Sequence, residues 1–289
     1  MKEIKVKAPA KINLYLAVFG KRKDGFHNIE TVMQTVNFFD EIELKERPSG
    51  IKISSSHSQI PKGKSNLAYR AARLFFRRTG LKKGIFINLK KNIPVGAGLG
   101  GGSSDAAAVL RGMNKLWNLK LSRKELVKWA KELGSDVPFF IEGNTAWARG
   151  RGEKINALKG RKSFYFLLFP PVRPLSTAKV YQAFSPDKKI GRKKHMEKIR
   201  QLTGALESGN LKRLKVSLYN GLEKTVFKIR PDILGYCRSL SQAGLDPVNL
   251  CGSGSALFAP VKNIRQAEYF INKLKLRKEV RIVKSFFGA

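Results

Sequence analysis

The sequence predicts an α+β fold organised as one large or two small domains. Of its 289 residues, 42% are hydrophobic, which is enough to build a substantial core without disulfide bonds. Short β-like runs and helical stretches are mixed along the chain without the regular alternation of a doubly wound sheet. The longest apolar run, which begins at Phe164, contains two prolines and is far shorter than the roughly 18 residues of a membrane span.

The first half carries most of the strand-like segments. They read EIKVKA, INLYLAVFG, DEIEL, IKISS and GIFINLKK, with turn-forming residues between them. One helical segment, SNLAYRAARLFFRRTG, interrupts them, with Ser65 as the expected N-cap and Gly80 as the expected stop. Its apolar residues recur at helical spacing, namely Leu67, Ala71, Leu74 and Phe75.

A second helix is predicted for SRKELVKWAKELG. Ser122 and Glu125 form the spacing of a capping box, and Gly134 closes the segment. The second half then begins with a buried-looking strand, FYFLLF (164–169), which is terminated by two prolines, Pro170 and Pro171. NIRQAEYFINKLKLR predicts a helix, with one face made by Ile264, Ala267, Ile271 and Leu274, and VRIVKSF predicts a last strand.

The chain is strongly basic. Lys and Arg number 57 against 21 Asp and Glu, which gives a formal net charge of +36. Such a field attracts polyanions, whether nucleic acid, anionic lipid or phosphorylated small molecules. The basic residues are spread along the whole chain, which disfavours a dedicated nucleic-acid arm, and general lysine usage is an alternative source of the charge.

Cysteine usage indicates a reduced environment. Cys237 and Cys251 are the only two cysteines and form no CxxC pattern, and the three histidines are scattered, so neither a disulfide framework nor a zinc site is predicted. The apolar stretch near the N-terminus is interrupted by Asn13 and followed by KRKDG instead of a small-residue cleavage site. We therefore expect a soluble cytoplasmic protein.

A glycine-rich loop, PVGAGLGGGSSD (94–105), leads into a strongly helical segment. Glycine allows a close approach of the backbone to a ligand, and the Ser-Ser-Asp run is the expected cap of the helix. The free N–H groups and the dipole of that helix predict a phosphate cradle. A Rossmann unit would need a later acidic residue and a Walker A loop a lysine, and both are missing here. A glycine turn without a ligand stays the alternative.

Four segments together resemble the superfamily of galactokinase, homoserine kinase, mevalonate kinase and phosphomevalonate kinase (GHMP kinases). PVGAGLGGGSSDAA is similar to its second motif. APAKINLYLAVFGKRKDGFHNIETVMQ resembles the first motif and NLCGSGSALFA the third. LGSDVPFF resembles the segment with the catalytic aspartate in the branch that acts on a cytidine diphosphate ester. The segments follow the family order and span almost the whole chain.

The resemblance implies a two-lobed GHMP kinase fold. Residues 1–160 would form the N-terminal ATP-binding lobe, similar to ribosomal S5 domain 2, and residues 161–289 a ferredoxin-like C-terminal lobe, with the active site in the cleft. The implied reaction is ATP-dependent phosphorylation of the 2-hydroxyl of the methylerythritol unit of a cytidine diphosphate ester, in non-mevalonate isoprenoid biosynthesis. ATP with Mg²⁺ is the implied cofactor pair.

The implied nucleotide site is the glycine loop with the start of the helix. Ser103, Ser104 and Asp105 are candidate neighbours of the metal, although no ligand spacing identifies the metal ligands. Lys90 and Lys91, just before the loop, either contact phosphate or are solvated. The ATP-binding residues are expected to be Pro94, Val95, Gly96, Ala97, Gly98, Leu99, Gly100, Gly101, Gly102, Ser103 and Ser104.

Two residues are implied to be catalytic. Asp136 lies between the helix that closes at Gly134 and an apolar, strand-like run, where an N-cap or turn role is the alternative. The resemblance makes Asp136 the acceptor of the hydroxyl proton and pairs it with Lys11, which would otherwise be an ordinary strand lysine. Asn13, two residues after Lys11, projects from the same face of a strand.

The substrate end is implied by three aromatic side chains. Phe26 and Tyr181 would stack on the two faces of the cytosine and His27 would supply hydrogen bonds. The alternatives are a core position for Phe26, a structural or exposed position for His27 and a packed helix position for Tyr181. Thr177 is a weaker expectation for a nearby polar contact. The third motif retains Gly252, Ser253 and Gly254 but departs from the family pattern at Cys251 and Ser255, which puts its fine geometry in question.

We expect the partners to be small molecules, namely ATP and the cytidine diphosphate ester. No specific nucleic acid and no membrane is expected, and the chain would be a monomer or weak homodimer. Two alternatives stay open: a sister GHMP kinase for homoserine, mevalonate or a sugar, and a basic nucleic-acid-binding protein suggested by the +36 charge.

Overall fold

The computed structural model describes residues 2–160, 162–170, 174–186, 191–276 and 279–288, so the predicted strand terminator Pro171 lies outside the described residues. Strands and helices are mixed along the chain, which confirms the α+β class. The strands are β1 (Glu3–Lys21), β2 (His27–Arg47), β3 (Ile51–Ser55), β4 (Gly84–Lys90), β5 (Thr145–Gly150), β6 (Lys154–Ala157), β7 (Tyr165–Phe169), β8 (Tyr219–Asn220), β9 (Asn249–Leu250), β10 (Leu257–Val261) and β11 (Arg281–Lys284).

Helices connect and cover these strands. They are α1 (Leu67–Thr79), α2 (Gly101–Leu116), α3 (Arg123–Ala130), α4 (Val137–Glu142), α5 (Thr177–Ala183), α6 (Arg192–Ser208), α7 (Leu211–Ser217), α8 (Glu223–Ile229), α9 (Pro231–Gln242) and α10 (Ile264–Lys273).

The strands form two sheets. The first has the order β3-β4-β2-β1-β8, and β5 pairs with both β2 and β6. The second has the order β11-β7-β10-β9 and is antiparallel where its pairings are defined. The short strand β8 comes from the second half of the chain and runs parallel to β1. The first sheet is therefore completed by a segment distant in sequence.

The long β1–β2 ribbon replaces the separate short strands predicted from the sequence. EIKVKA and INLYLAVFG are one continuous strand, which shifts register at Pro9/Ala10, Asn13/Tyr15 and Val18/Lys21. Proline cannot donate to the ladder, so it is tolerated in a strand where such an irregularity occurs. Strand β2 serves both ends of the long sheet, because it pairs with β5 over its first half and with β4 over its second half.

The helix boundaries of the first half follow local capping chemistry. Helix α1 is capped by Asn66, whose side chain accepts from the N–H of Ala68 at 2.8 Å, and not by Ser65 as predicted. Gly80 ends it in the left-handed conformation, as predicted. The capping box of Ser122 and Glu125 is present in α3. That helix ends at Ala130, earlier than the predicted stop at Gly134.

Helix α2 lies at the centre of the hydrophobic core of the first half of the chain. Its alanines and Val109 are fully buried against α1 and the first sheet, in a cluster with Phe75 and Met33. A second cluster joins β1 to β7, β10 and α6, with Ile12 and Phe166 fully buried. The start of α2 and the middle of β1 are thus held by buried packing on both sides of the site that they form.

The predicted elements of the second half are present. FYFLLF forms β7, VRIVKSF contributes β11, and α10 is capped by Asn263. The buried face of α10 contains Ala267 and Phe270, whereas Ile264 is 46% exposed. In the described part of the chain, no helix has the length and apolar character needed to cross a membrane.

A half-buried carboxyl in α8 makes stability depend on pH. Burial raises the pKa of Glu223 from 4.5 to about 7, and the hydrogen bond from the N–H of Leu250 opposes this shift. Between these pH values the folded chain holds a proton that the unfolded chain has released, so the free energy of unfolding falls as pH rises from about 4.5 to about 7.

We expect Glu223→Gln, which keeps the acceptor oxygen, to be more stable than the parent at pH 8 by about 1–3 kcal/mol.

Urea unfolding at pH 5 and pH 8 measures this effect. The matched control is Glu268→Gln, which removes an exposed carboxylate from α10. We expect Glu268→Gln to leave the difference between the two pH values unchanged. An equal pH dependence in Glu223→Gln and the parent would contradict the prediction.

Candidate active site

One cavity of about 1040 Å³ collects the predicted site residues. Its wall is made by the glycine loop with the first turn of α2, by β1, by the segment around residue 136, by α5 and by residues 252–253. Of the predicted residues, Lys90, Ser104, Asp105 and Gly254 do not line it, whereas Lys91 and the others do. The lining members are Lys11, Asn13, Phe26, His27, Lys91, Pro94, Val95, Gly96, Ala97, Gly98, Leu99, Gly100, Gly101, Gly102, Ser103, Asp136, Thr177, Tyr181, Gly252 and Ser253.

Lys11 is the point where the four motif segments meet. Its N–H donates to the carbonyl of Leu99 at 3.0 Å, and its Nζ lies 3.9 Å from Oδ2 of Asp136. A Cβ placed at Gly100 would lie 3.2 Å from Cγ of Lys11, and one placed at Gly252 would lie 3.1 Å from its Nζ. The side chain of Lys11 is 6% exposed, so this ammonium is buried among the motifs and needs its polar partners.

Asn13 holds the ammonium of Lys11 in place. Its Oδ1 accepts from Nζ of Lys11 at 2.5 Å, and its Nδ2 donates to Oγ1 of Thr31 at 2.8 Å. Thr31 in turn donates to the carbonyl of Tyr15 at 2.6 Å. The expected common face of Lys11 and Asn13 is therefore present, and a chain of hydrogen bonds fixes the orientation of the amide.

Asp136 occupies the N-cap position of α4 but makes no side-chain cap hydrogen bond. Its carboxylate is directed to Lys11 and is 33% exposed on the cavity. The expectation of a strand after Asp136 is wrong, because VPFFIE forms helix α4. Val137–Ile141 are all buried, and a short, fully apolar run has no periodicity that separates a buried helix from a strand. Pro138 lies in the first turn of this helix, where proline is tolerated.

The glycine loop is shaped by backbone conformations that favour glycine. Gly96, Gly98 and Gly100 have φ of +66°, +79° and +74°. At Gly98 a Cβ would lie 1.9 Å from the carbonyl oxygen of Cys251, so the second and third motifs touch backbone to backbone. The N–H of Ala256 also donates to the carbonyl of Ala97 at 3.1 Å. The loop is thus a rigid turn fixed by the third motif.

The N-terminus of α2 opens into the cavity. The helix begins at Gly101 after an N-cap glycine, so the expectation that Ser-Ser-Asp caps it is wrong. Those residues lie inside the first turns because the left-handed Gly100 starts the helix earlier. Gly101, Gly102 and Ser103 line the cavity, and their N–H groups have no partners within the helix. Ser104 is fully buried and its hydroxyl has no partner, so it lies behind the cavity wall.

The two lysines before the loop differ sharply. Lys90 is exposed and pairs with Glu41 at 3.3 Å. Lys91 is buried and its Nζ contacts Asp105 at 2.6 Å and also contacts Asp40. Burial opposes the charge of Lys91, but the two carboxylates outweigh it and raise its pKa. Burial raises the pKa of Asp105, which is bound to Lys91 and does not line the cavity.

The third motif is tied to α5. Oγ1 of Thr177 lies 2.8 Å from Oγ of Ser253, so the hydroxyl expected at the substrate is also bound to the motif. Asn220, in β8, donates from Nδ2 to the carbonyl of Gly252 at 2.8 Å. Gly254 lies behind the wall, where a Cβ would be 2.9 Å from Leu250. Cys251 is buried, and burial raises the pKa of its thiol to about 12.

The aromatic end of the cavity is built from two elements. The rings of His27 and Tyr181 are 5.5 Å apart, and the ring of Phe184 meets His27 edge-on at 5.7 Å. Burial, together with the charge of Lys21, lowers the pKa of His27, so its imidazole is neutral at pH 7. Burial raises the pKa of Tyr181, and the nearby charge of Asp136 adds to this shift. Phe26 is 52% exposed and its ring is covered by Arg151.

Several lining residues were not predicted from the sequence. Thr31 lies within the segment that resembles the first motif but was not singled out, and Phe184 lies in no motif. Lys91 was considered only as a possible phosphate contact. Arg151 stands between two glycines in the sequence GRGEK. These glycines indicate a turn and are the signal that could have drawn attention to Arg151. In the part of the chain that the structure describes, no group of three or more His, Cys, Asp or Glu side chains is arranged to hold a metal ion.

Comparison with known proteins identifies the same kinase class through family models and through solved structures. The family model of the GHMP kinases N terminal domain matches residues 66–144, and that of the GHMP kinases C terminal domain matches residues 202–278. A homoserine kinase structure from Cytophaga hutchinsonii, 20% identical, covers 99% of this chain and 95% of its own with a TM-score of 0.78, which supports the fold. Fold and cavity together define a small-molecule kinase of the GHMP class.

Relatives of higher sequence identity identify one family within the GHMP kinases. The 4-diphosphocytidyl-2-C-methyl-D-erythritol kinases of Bacillus pumilus and Bacillus licheniformis are each 41% identical over 270 residues, with 93% of this chain and 92% of theirs covered. The crystal structure of a 4-(cytidine 5'-diphospho)-2C-methyl-D-erythritol kinase is 32% identical, with a TM-score of 0.78 over 99% of this chain and 100% of that one. The chain belongs to the 4-diphosphocytidyl-2-C-methyl-D-erythritol kinase family.

Proposed function

We propose that this protein transfers the γ-phosphoryl group of ATP to the 2-hydroxyl of 4-diphosphocytidyl-2-C-methyl-D-erythritol, in non-mevalonate isoprenoid biosynthesis. The observation that carries the proposal is the meeting of Lys11 and Asp136, 3.9 Å apart, with the glycine loop at the N-terminus of α2 in one cavity. An ionised carboxylate, a fixed ammonium and a set of free N–H groups are the parts that phosphoryl transfer to an alcohol requires.

The glycine loop would hold the phosphates of ATP. Free N–H groups at a helix N-terminus and the positive end of the helix dipole favour a bound phosphate. The bare backbone from Gly96 to Gly102 allows the phosphates to approach closely, and its contacts with the third motif keep the cradle rigid. Rigid donors need no rearrangement as charge develops, which is the main source of rate enhancement in such a reaction.

Asp136 would accept the proton of the attacking hydroxyl. The alcohol oxygen forms a bond to the γ-phosphorus, the bond from that phosphorus to the β,γ-bridging oxygen breaks, and ADP leaves. Lys11 would orient the carboxylate, and its ammonium would stabilise negative charge on the transferred group. Because Asp136 makes no cap hydrogen bond in α4, its carboxylate is available for this role.

The aromatic end would bind the cytosine. The neutral imidazole of His27 has one donor and one acceptor, which suits the edge of a pyrimidine. Phe26 and Tyr181 would stack on its faces, each contact adding roughly 1–3 kcal/mol. Asn13 and Thr177 would line the sugar-alcohol end. Binding of a remote group then positions the reacting hydroxyl.

Mg²⁺ would enter this site together with the nucleotide. Among the described residues the cavity offers one carboxylate, of Asp136, and the hydroxyl of Ser103, whereas Ser104 and Asp105 do not line it. This donor set fits a magnesium ion, which usually keeps several waters and binds through one or two carboxylates and substrate phosphates. Asp136 and Ser103 are the residues that would hold it, and the ion would neutralise phosphate charge.

The proposal extends to the partners, the oligomeric state, the location and the lobe boundary of the protein. ATP and the cytidine diphosphate ester would be the partners of a monomer or weak homodimer in the cytoplasm, with no specific nucleic acid. We keep the lobe division at residues 160/161, because each matched family segment then falls whole within one lobe.

A substrate panel tests the function. We expect the wild-type protein to form ADP with 4-diphosphocytidyl-2-C-methyl-D-erythritol at a kcat/KM at least 100-fold above that with homoserine, mevalonate or galactose, because these alcohols lack the cytosine. A higher kcat/KM for one of them would contradict the proposal and favour a sister kinase. Tight, steeply salt-dependent binding to a defined nucleic-acid site without ATP consumption would favour the nucleic-acid alternative.

A further inference from the structure

Arg151 lies on the cavity wall between the aromatic end and Asp136. It follows β5 directly, in a turn in which Gly150 and Gly152 have φ of +76° and +111°. The N–H of Arg151 donates to Oε2 of Glu153 at 2.7 Å, which fixes the backbone of the turn. The backbone of Arg151 is therefore held rigidly at the edge of the cavity.

The turn contacts both ends of the cavity. A Cβ placed at Gly152 would lie 3.8 Å from Oδ1 of Asp136, so the backbone beside Arg151 packs on the proposed catalytic carboxylate. In the other direction, the guanidinium carbon of Arg151 lies 5.0 Å from the centroid of the Phe26 ring. Arg151 therefore lies between the proposed catalytic carboxylate and Phe26 of the proposed cytosine site.

The charge of Arg151 is available to an anion. Among the described residues, no carboxylate lies within ion-pair distance of its guanidinium. Its charge contributes to the lowered pKa of Asp24, but that carboxylate binds Arg22 at 3.1 Å. By contrast, Lys11 and Lys91 on the same cavity wall are both bound to carboxylates.

Stacking suits this guanidinium to phosphate recognition. A guanidinium that stacks on an aromatic face keeps its N–H donors in the plane, where they are free to bind. The planar guanidinium presents a fork of two parallel N–H donors, which can bind two phosphate oxygens at once. Lys21 is a further cation on the wall, but it lies at the exposed end of β1 and has no fork.

We propose that Arg151 binds the diphosphate of the cytidine diphosphate ester and selects substrates that carry this charged link. The proposal rests on the proposed function, because the diphosphate joins the cytosine to the sugar alcohol and must pass between Phe26 and Asp136. Arg151 is then a specificity-determining residue for the substrate and has no role toward ATP.

Calorimetric titration with CDP and with cytidine tests this role. We expect Arg151→Ala to weaken CDP binding about 10- to 100-fold and to change cytidine binding less than about threefold, since a hydrogen bond to a charged group is lost only with CDP. Arg151→Lys keeps the charge without the fork and should lose about threefold to tenfold toward CDP. In turnover assays, Arg151→Ala should raise the KM of the ester and leave the KM of ATP unchanged.

The matched control is Arg149→Ala. Arg149 is two residues earlier on β5, stacks on Trp147 and binds Asn156, and does not line the cavity. We expect it to bind both ligands as the parent does.

Three outcomes would count against the proposal. An equal loss of CDP and cytidine binding in Arg151→Ala would mean that Arg151 only supports the Phe26 ring, and unchanged CDP binding would exclude a phosphate contact. A wild-type protein that binds neither ligand would instead overturn the proposed function itself.

Discussion

Asp136→Asn is expected to lower kcat by roughly 10²- to 10⁴-fold, which is the usual contribution of a positioned general base. Asparagine has nearly the same shape, so the N-cap position of α4 and the packing of that helix are preserved. It cannot accept the hydroxyl proton, and it removes the negative partner of the buried ammonium of Lys11, whose Nζ lies 3.9 Å from the carboxylate. Phosphoryl transfer to the ester, followed through ADP release, measures the effect.

Two further measurements isolate the chemical step. Measured without Mg²⁺, the ATP dissociation constant of Asp136→Asn should stay within about threefold of the parent, because the phosphate cradle is built from the glycine loop and Asp136 would contact the nucleotide only through the metal. Asp232→Asn is the matched control, since Asp232 is an exposed carboxylate bound to Arg230 at the start of α9. Its kcat should equal that of the parent. An Asp136→Asn variant with unimpaired turnover would contradict the proposed role.

Gly98→Ala is expected to lower the free energy of unfolding by about 2–4 kcal/mol, the sum of backbone strain at positive φ and of overpacking. Its φ is +79°, and the new Cβ would lie 1.9 Å from the carbonyl oxygen of Cys251, a backbone atom with little freedom to move. The loop has to separate from the third motif to accept the methyl group. We therefore also expect ATP binding to weaken at least tenfold, because the N–H groups of the cradle lose their common orientation.

Thermal unfolding and ATP titration of two glycine variants test this prediction. Gly102→Ala introduces the same methyl group into the same loop-helix junction, where the nearest atom is Cδ1 of Leu67 at 3.9 Å. Since alanine is the better helix former, we expect its stability to be unchanged or raised by up to about 1 kcal/mol. If Gly98→Ala unfolded at the same temperature as Gly102→Ala, the contact with Cys251 would not constrain the loop.

Local hydrogen bonding explains which elements could be predicted from the sequence. The capping box at Ser122 and the helix stop at Gly80 depend on residues within four positions of each other, so their pattern is sufficient. Prediction failed where a tertiary contact outweighed the local preference. The run from Val137 to Ile141 is apolar and buried at every position, so its helix could not be distinguished from a strand by periodicity.

The two lysines before the glycine loop give the clearest contrast within the site. Lys90 and Lys91 are equivalent as letters in the sequence, yet one is exposed beside Glu41 and the other is buried with Asp40 and Asp105. The difference arises because β2 and α2 place two carboxylates at the second lysine. No spacing rule within the loop contains that information.

The mixture of strand-like and helical segments was sufficient to predict the α+β class, and the resemblance of four segments was sufficient to predict the kinase family and most of the predicted residues that gather at the cavity. These depend on the types of side chain that the chemistry requires and on short-range backbone preference. The tertiary structure alone decided that Lys11 meets Gly100, Gly252 and Asp136, that Ser104 lies behind the wall, and that Arg151 reaches Phe26. Distances between residues so far apart in the sequence are set by how the strands and helices pack, and packing is a property of the whole chain.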